Sequence, residues 1–565
     1  METKTKIYTL LEYKDFYKEE KDISHAKDLI TGIPSSALLN YIAGFGVHLY
    51  LNEHHERPGI VQFNLANSLL NKCDNLVRKK WQTVIEEKAS EGHNPIMFWN
   101  YSNLIFLNII FKNFNGYRCR DLTGEEAKKL FDAYLIINGI ANQVANIDEE
   151  ELKNADESMK IEEVTMPGLI YQRDYVSSLD FGNQATRGIY LFKYLESENK
   201  FKDYVREYYK SLNISGYLRM LKNLMVVFVK SFSTRDNSER IQIVNLKDEI
   251  DDKQVDPAYL ETLCINSEIG NYKEDESFGV IRRKFLYKFD ESQYLILNIN
   301  FLLDHFYKAQ IFAFNGYLKM NGAKSQFLSE KGKNFSEDIY LKMTLESSFP
   351  DLVRYSGNQC LNSKNEELCD AYLREGNKVC LIEFKDVLLA SNVKNSSSKE
   401  ILFEELDKKF VSNQSNKPKG ITQLANAIFD IEVNSLPFDD TLPAEKLEIF
   451  PVIIYTDNTF GMEGLNKYFK EKFKTEIEKR KIFNAIINDV IFINLSFFEL
   501  NESYINQGYL NFFDVLASYN RHVSQNDFSL TSFEVFARAY NNENIPKDLV
   551  LPNSFQKHIE DIAMA

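Results

Sequence analysis

Gly376-Asn377 stands between two strand-like runs, Asp370-Ala-Tyr-Leu-Arg-Glu375 before it and Lys378-Val-Cys-Leu-Ile-Glu383-Phe-Lys385 after it. A Gly-Asn pair in that setting marks a two-residue hairpin. Such a short turn fixes the register: Glu375 faces Lys378, Leu373 faces Cys380, and Asp370 faces Glu383. Facing residues on antiparallel strands have Cβ atoms about 5 Å apart. Glu383 and Lys385 are two apart, so they project from the same side of their strand. The turn thus commits one face of a hairpin end to two carboxylates and an amine.

Like charges directly opposite one another destabilise a sheet. A divalent cation removes that conflict, and hard carboxylate oxygens suit Mg²⁺ or Mn²⁺. A cation held there would polarise a phosphate and acidify a water. Lys385 would orient that water or stabilise charge developing on phosphorus. The pattern is therefore that of metal-assisted phosphodiester hydrolysis, with Asp370, Glu383 and Lys385 at its centre.

This arrangement resembles the PD-(D/E)xK nuclease superfamily over about residues 331–500. The resemblance implies a mixed sheet with flanking helices, a restriction-endonuclease-like fold. It implies a further acid on the helix before the hairpin, where Glu337 stands, and a polar residue on the helix after it, where Gln423 stands. Metal ligands are then expected at Glu337, Asp370 and Glu383, and catalytic roles at Asp370, Glu383, Lys385 and Gln423. One residue departs from the pattern: Cys369, not proline, precedes Asp370, and the nearest Pro-Asp pair is Pro350-Asp351.

The remaining patterning divides the 565 residues into several units. Residues 1–147 read as a helical domain. The apolar run 35–51 and the amphipathic run 64–89 each predict a helix, and Thr123 with Glu126 predicts a capping box. Residues 148–163 are acidic and poor in bulky side chains, the composition of a linker or solvated helix. Residues 164–330 read as a second helical domain, with a hairpin of 280–289 and 294–303 near its end. Residues 331–565 alternate helices with apolar strands, which predicts an α/β domain with a C-terminal helical extension. The fold class expected is α+β and multi-domain.

Charge and cysteine content narrow the function. A net charge of −15 excludes a protein coating nucleic acid over its whole surface, but leaves room for a local basic groove. Lys331, Lys333, Lys394, Lys399, Lys408, Lys409, Lys417 and Lys419 read either as phosphate contacts or as a solvated surface. Six cysteines in this length make no disulfide framework, and Cys369 and Cys380 read as small buried hydrophobes. His48, His54, His55 and Glu56 match no metal-binding spacing. The start lacks an apolar signal core, and 101–114 is too short and polar to span a bilayer. A cytoplasmic location without membrane attachment is expected.

Together these features predict a metal-dependent nuclease, an endonuclease rather than an exonuclease, acting on DNA. The resemblance extends this to restriction or defence against invading DNA. The helical region would then sense, bind a protein partner or hold the enzyme inactive. The alternatives are an inactive nuclease-like scaffold or protein-binding module, and a nuclease that cleaves RNA.

Overall fold

The computed structural model describes residues 8–53, 58–116, 120–145, 161–177, 179–233, 243–323, 326–394, 398–433, 436–443, 445–481, 484–546 and 552–565. They are mostly helical, with a mixed sheet in the C-terminal part, an α+β layout. Two compact units are present. One gathers the described residues of Lys6–Asn146, Tyr175–Ala323 and Glu560–Ala565; the other gathers those of Ile147–Asp174 and Lys324–Ile559. Most of the helical domains drawn from sequence as 1–147 and 164–330 thus falls in one unit, while 164–174 and 326–330 belong with the C-terminal one. His54, His55, Glu56 and residues 148–160 lie outside the described residues. No single helix among the described residues is long and apolar enough to cross a membrane.

In the helical unit, the apolar run forms the helix Ser35–Leu51. The run at 64–89 does not form one helix. It breaks into Pro58–Leu70 and Asn75–Ser90 because the Asp74 side chain accepts from the Leu76 and Val77 N–H groups at 2.9 and 3.0 Å. An N-cap that satisfies first-turn donors starts a helix wherever it sits. The Thr123–Glu126 box forms as expected, each side chain accepting from the other's N–H ahead of the helix Gly124–Ala145. Strand β1 (Tyr8–Leu10) runs parallel to β2 (Asn94–Ile96). Strands β3 (Ile243–Asn245), β4 (Leu286–Lys288) and β5 (Gln293–Ile296) make an antiparallel sheet in the order β3-β5-β4. The hairpin is shorter than its apolar runs: Gly279–Arg283 and Ile299–Asp304 are helical, the latter capped by the Asn298 side chain.

The C-terminal unit is built on β6 (Val353–Ser356), β7 (Ala371–Glu375), β8 (Lys378–Lys385), β9 (Glu448–Tyr455), β10 (Ile486–Ile487) and β11 (Ile491–Asn494). Strands β6, β7 and β8 are antiparallel neighbours, and β9 joins β8 in parallel. β10 and β11 pair in succession along the far side of β9. The parallel step from β8 to β9 requires a crossover. The helices Lys399–Phe410 and Gly420–Val433 lie within it. Leu402, Leu406, Phe410, Ile421, Leu424 and Ile428 pack with Val379, Leu381, Ile449 and Ile453 of the strands. Glu383 and Lys385 continue the row of Val379 and Leu381, so they face the same layer of helices at the strand end.

The hairpin register is the one its turn dictates: Glu375 pairs with Lys378 and Leu373 with Cys380. Gly376 takes a φ of 60°, and Asn377 does not adopt a positive φ. A left-handed first turn residue favours glycine, because a Cβ there costs about 1–2 kcal/mol. Gly376→Ala is therefore expected to destabilise the β7–β8 hairpin by about that amount. Faster amide hydrogen exchange along β7 and β8 checks it.

Candidate active site

Asp370 immediately precedes β7, and its Oδ2 accepts from the Phe384 N–H at 2.6 Å. That bond continues the hairpin by a side chain where the backbone ladder ends, and holds the carboxylate beside Glu383 and Lys385. Lys385 Nζ donates to Glu383 Oε2 at 2.6 Å and stands 3.8 Å from Asp370 Oδ2. The Glu383 side chain is 2% exposed, and those of Asp370 and Lys385 are 12% exposed. The three residues expected from the turn are thus in mutual reach.

Glu337 arrives from the N-terminal side. Phe327–Glu330, Lys331–Leu341 and Lys342–Ser348 follow one another as a helix whose middle section is π-wound. Carboxylate oxygens of Glu337, Asp370 and Glu367 lie within 4.8 Å of one another. Glu367 was not expected. The run 366–375 reads as one strand, in which residues three apart face opposite ways. In the structure the strand begins only at Ala371. The preceding loop doubles back, with Leu368 N–H bonded to the Cys360 carbonyl and Gly357 N–H to the Asp370 carbonyl. A Cβ on Gly357 would stand 3.9 Å from Glu367 Oε1. Glu383, expected as a ligand, is not a member of this acidic cluster and is held instead by Lys385.

Gln423 lies on the helix Gly420–Val433, whose first residue touches the site. A Cβ on Gly420 would stand 3.0 Å from Ile453 Cδ1 and 3.5 Å from Lys385 Cε. A larger residue there would have to push these neighbours aside. Gln423 follows three residues later, so it shares that side of the helix. Its Oε1 is buried without a hydrogen-bond partner among the described residues.

Of the lysines weighed as phosphate contacts, several are engaged elsewhere. Lys331 pairs with Asp386, Lys394 with Asp174, Lys408 with Glu404 and Lys409 with Glu405. Lys333, Lys417 and Lys419 have no carboxylate within 4 Å among the described residues. Cys369 and Cys380 are buried free thiols.

Burial, then the crowding of carboxylates, sets the electrostatics. Burial, then the charges of Asp370 and Glu337, push the Glu383 carboxyl up to about 8 against the opposing pull of Lys385. Burial and Asp370 raise Glu337 to about 7, and the same two causes raise Glu367. Burial acts to lower the Lys385 ammonium, but Glu383, Asp370 and Glu337 outweigh it and hold Lys385 above its ordinary value. Acids exceed cations here, which is the condition a divalent cation relieves. Carboxylate oxygen is also the donor that such an ion prefers.

Searches against protein-family models, curated proteins and solved structures returned no match for this chain.

A carboxyl raised in the folded state keeps a proton that the unfolded chain releases, so stability falls as pH rises across that interval. For Glu383 the interval runs from the ordinary 4.5 to about 8, and Glu337 acts with the same sign up to about 7. Glu383→Gln is uncharged throughout. Without divalent cations, the wild-type melting temperature should drop more steeply than that of Glu383→Gln over this interval. Parallel curves would mean that Glu383 is already ionised at its lower end.

Proposed function

We propose that the C-terminal unit is a metal-dependent endonuclease of the PD-(D/E)xK type, hydrolysing phosphodiester bonds in DNA. The convergence of Glu337, Glu367 and Asp370 beside the Glu383–Lys385 pair carries this reading. Glu337 and Asp370 hold Mg²⁺ or Mn²⁺ with Glu367, and Glu383 borders the same site. When bound, the cation supplies Lewis-acid polarisation of the phosphate and acidifies water.

The chain's own groups do the rest. Lys385, kept charged by three carboxylates, places an ammonium where negative charge develops on phosphorus. Glu383, with a carboxyl near 8, can take up or release a proton close to neutral pH, as an acid–base group must. The free Oε1 of Gln423 accepts a hydrogen bond from a water or a substrate hydroxyl on the helix side. Lys333, Lys417 and Lys419, which have no carboxylate within 4 Å among the described residues, contact the sugar-phosphate backbone, which fixes register without reading sequence. Cleavage of invading DNA is the role this chemistry serves by analogy with restriction enzymes. In that role the helical unit binds a protein partner.

The test is cleavage of supercoiled plasmid, linear duplex, single-stranded DNA and RNA with Mg²⁺ or Mn²⁺. Nicking of plasmid is expected from the wild type, stopped by chelation. Lys385→Ala and Asp370→Asn should each lower the rate by about 10²–10³-fold, the usual effect of deleting one group that stabilises transition-state charge. Metal-dependent cleavage of RNA alone would reassign the substrate. Cleavage undiminished in both variants would place the activity elsewhere.

A further inference from the structure

Directly after Lys385, one carboxylate ties three elements together. Asp386 Oδ2 accepts from Lys331 Nζ at 2.6 Å and from Ser336 Oγ at 2.7 Å, while its Oδ1 accepts from Thr456 Oγ1 at 2.7 Å. Lys331 and Ser336 belong to the π-wound segment that carries Glu337, and Thr456 follows β9. Both side chains of the pair are nearly buried, Lys331 at 5% and Asp386 at 13% exposed. A buried ion pair needs its remaining hydrogen-bonding capacity satisfied, and the two hydroxyls help to do this. Burial acts to raise Asp386, but Lys331 and the hydroxyl donors outweigh it and hold the carboxyl below its ordinary value.

The winding explains why both helix residues reach one acceptor. In an α-helix, residues five apart sit about 140° around the axis from each other. In a π-helix, with i→i+5 hydrogen bonding and more residues per turn, they come closer together around the axis. Lys331 and Ser336 are five apart, and Glu337 adjoins Ser336. The same turn that grips Asp386 therefore carries the ligand that meets Asp370 and Glu367.

We propose that Asp386 is a positioning residue that seats the Glu337-bearing π turn on the sheet and thereby sets the affinity of the site for a divalent cation. The inference rests on the metal-dependent reading above.

The test is calorimetric titration of the full-length protein with Mn²⁺, on wild type, Asp386→Asn, Ser336→Ala and Ser336→Thr, each also melted without metal. Partners behind metal ligands typically change affinity 10–100-fold when removed. Asp386→Asn and Ser336→Ala should weaken Mn²⁺ binding by about that factor, and Ser336→Thr, which keeps the hydroxyl, should restore it. A purely structural role predicts lower melting temperatures with unchanged Mn²⁺ affinity, and that result overturns the proposal. Should Asp386→Asn fail to fold, Ser336→Ala decides, since it removes one hydroxyl and leaves the ion pair. Wild type that binds no Mn²⁺ would overturn the metal site itself and the positioning role with it. Binding that is insensitive to these substitutions overturns the positioning role alone.

Discussion

Four carboxylates, Glu337, Glu367, Asp370 and Glu383, converge near the buried ammonium of Lys385. Their mutual repulsion is the constraint around which the C-terminal unit is arranged. An isolated hairpin end would splay such groups into water. Here the sheet keeps them together, because β8 and β9 are buried along nearly their whole length and cannot shift without exposing apolar core. Burial first, and the charge of Asp370 second, raise the carboxyls of Glu383 and Glu337. Groups tuned in this way by burial and like charge gather where proton transfer or metal binding occurs.

Each neighbouring element answers to that charge cluster in its own way. The Phe384 N–H extends the hairpin to Asp370 through the side chain. Gly420 lets a helix begin in contact with the Lys385 stem, which limits where the ammonium can go. The loop before β7 folds back so that Glu367 joins from a different segment. Asp386, next along the chain from the same strand end, takes up the positive charge of Lys331, leaving Lys385 to the acids. Consecutive residues, Lys385 and Asp386, thus serve opposite ends of one arrangement: one meets the reactive carboxylates, the other anchors the helix that brings a third.

The hairpin was legible because its turn is short. Gly376-Asn377 leaves one register, and that register by itself places Asp370 against Glu383. Glu337 and Gln423 were legible only through a family resemblance, since nothing in their local pattern distinguishes them from other polar helix residues. Glu367 was hidden by the strand-like composition of 366–375; strand alternation sends it to the wrong face, and only the loop geometry brings it back. The π winding of Lys331–Leu341 left no mark in the apolar pattern, and the bonds of Lys331 and Ser336 to Asp386 join residues far apart in sequence. In the helical unit, the missed break at Asp74 shows a local cap overriding a continuous apolar period.

Crystals soaked in Mn²⁺ and measured for anomalous scattering address the charge cluster most directly. An anomalous peak is expected among the carboxylates of Glu337, Glu367 and Asp370, within about 2.1–2.2 Å of their oxygens. Saturating Mn²⁺ with no peak there, or with a peak elsewhere on the chain, would contradict a metal-dependent site at this hairpin.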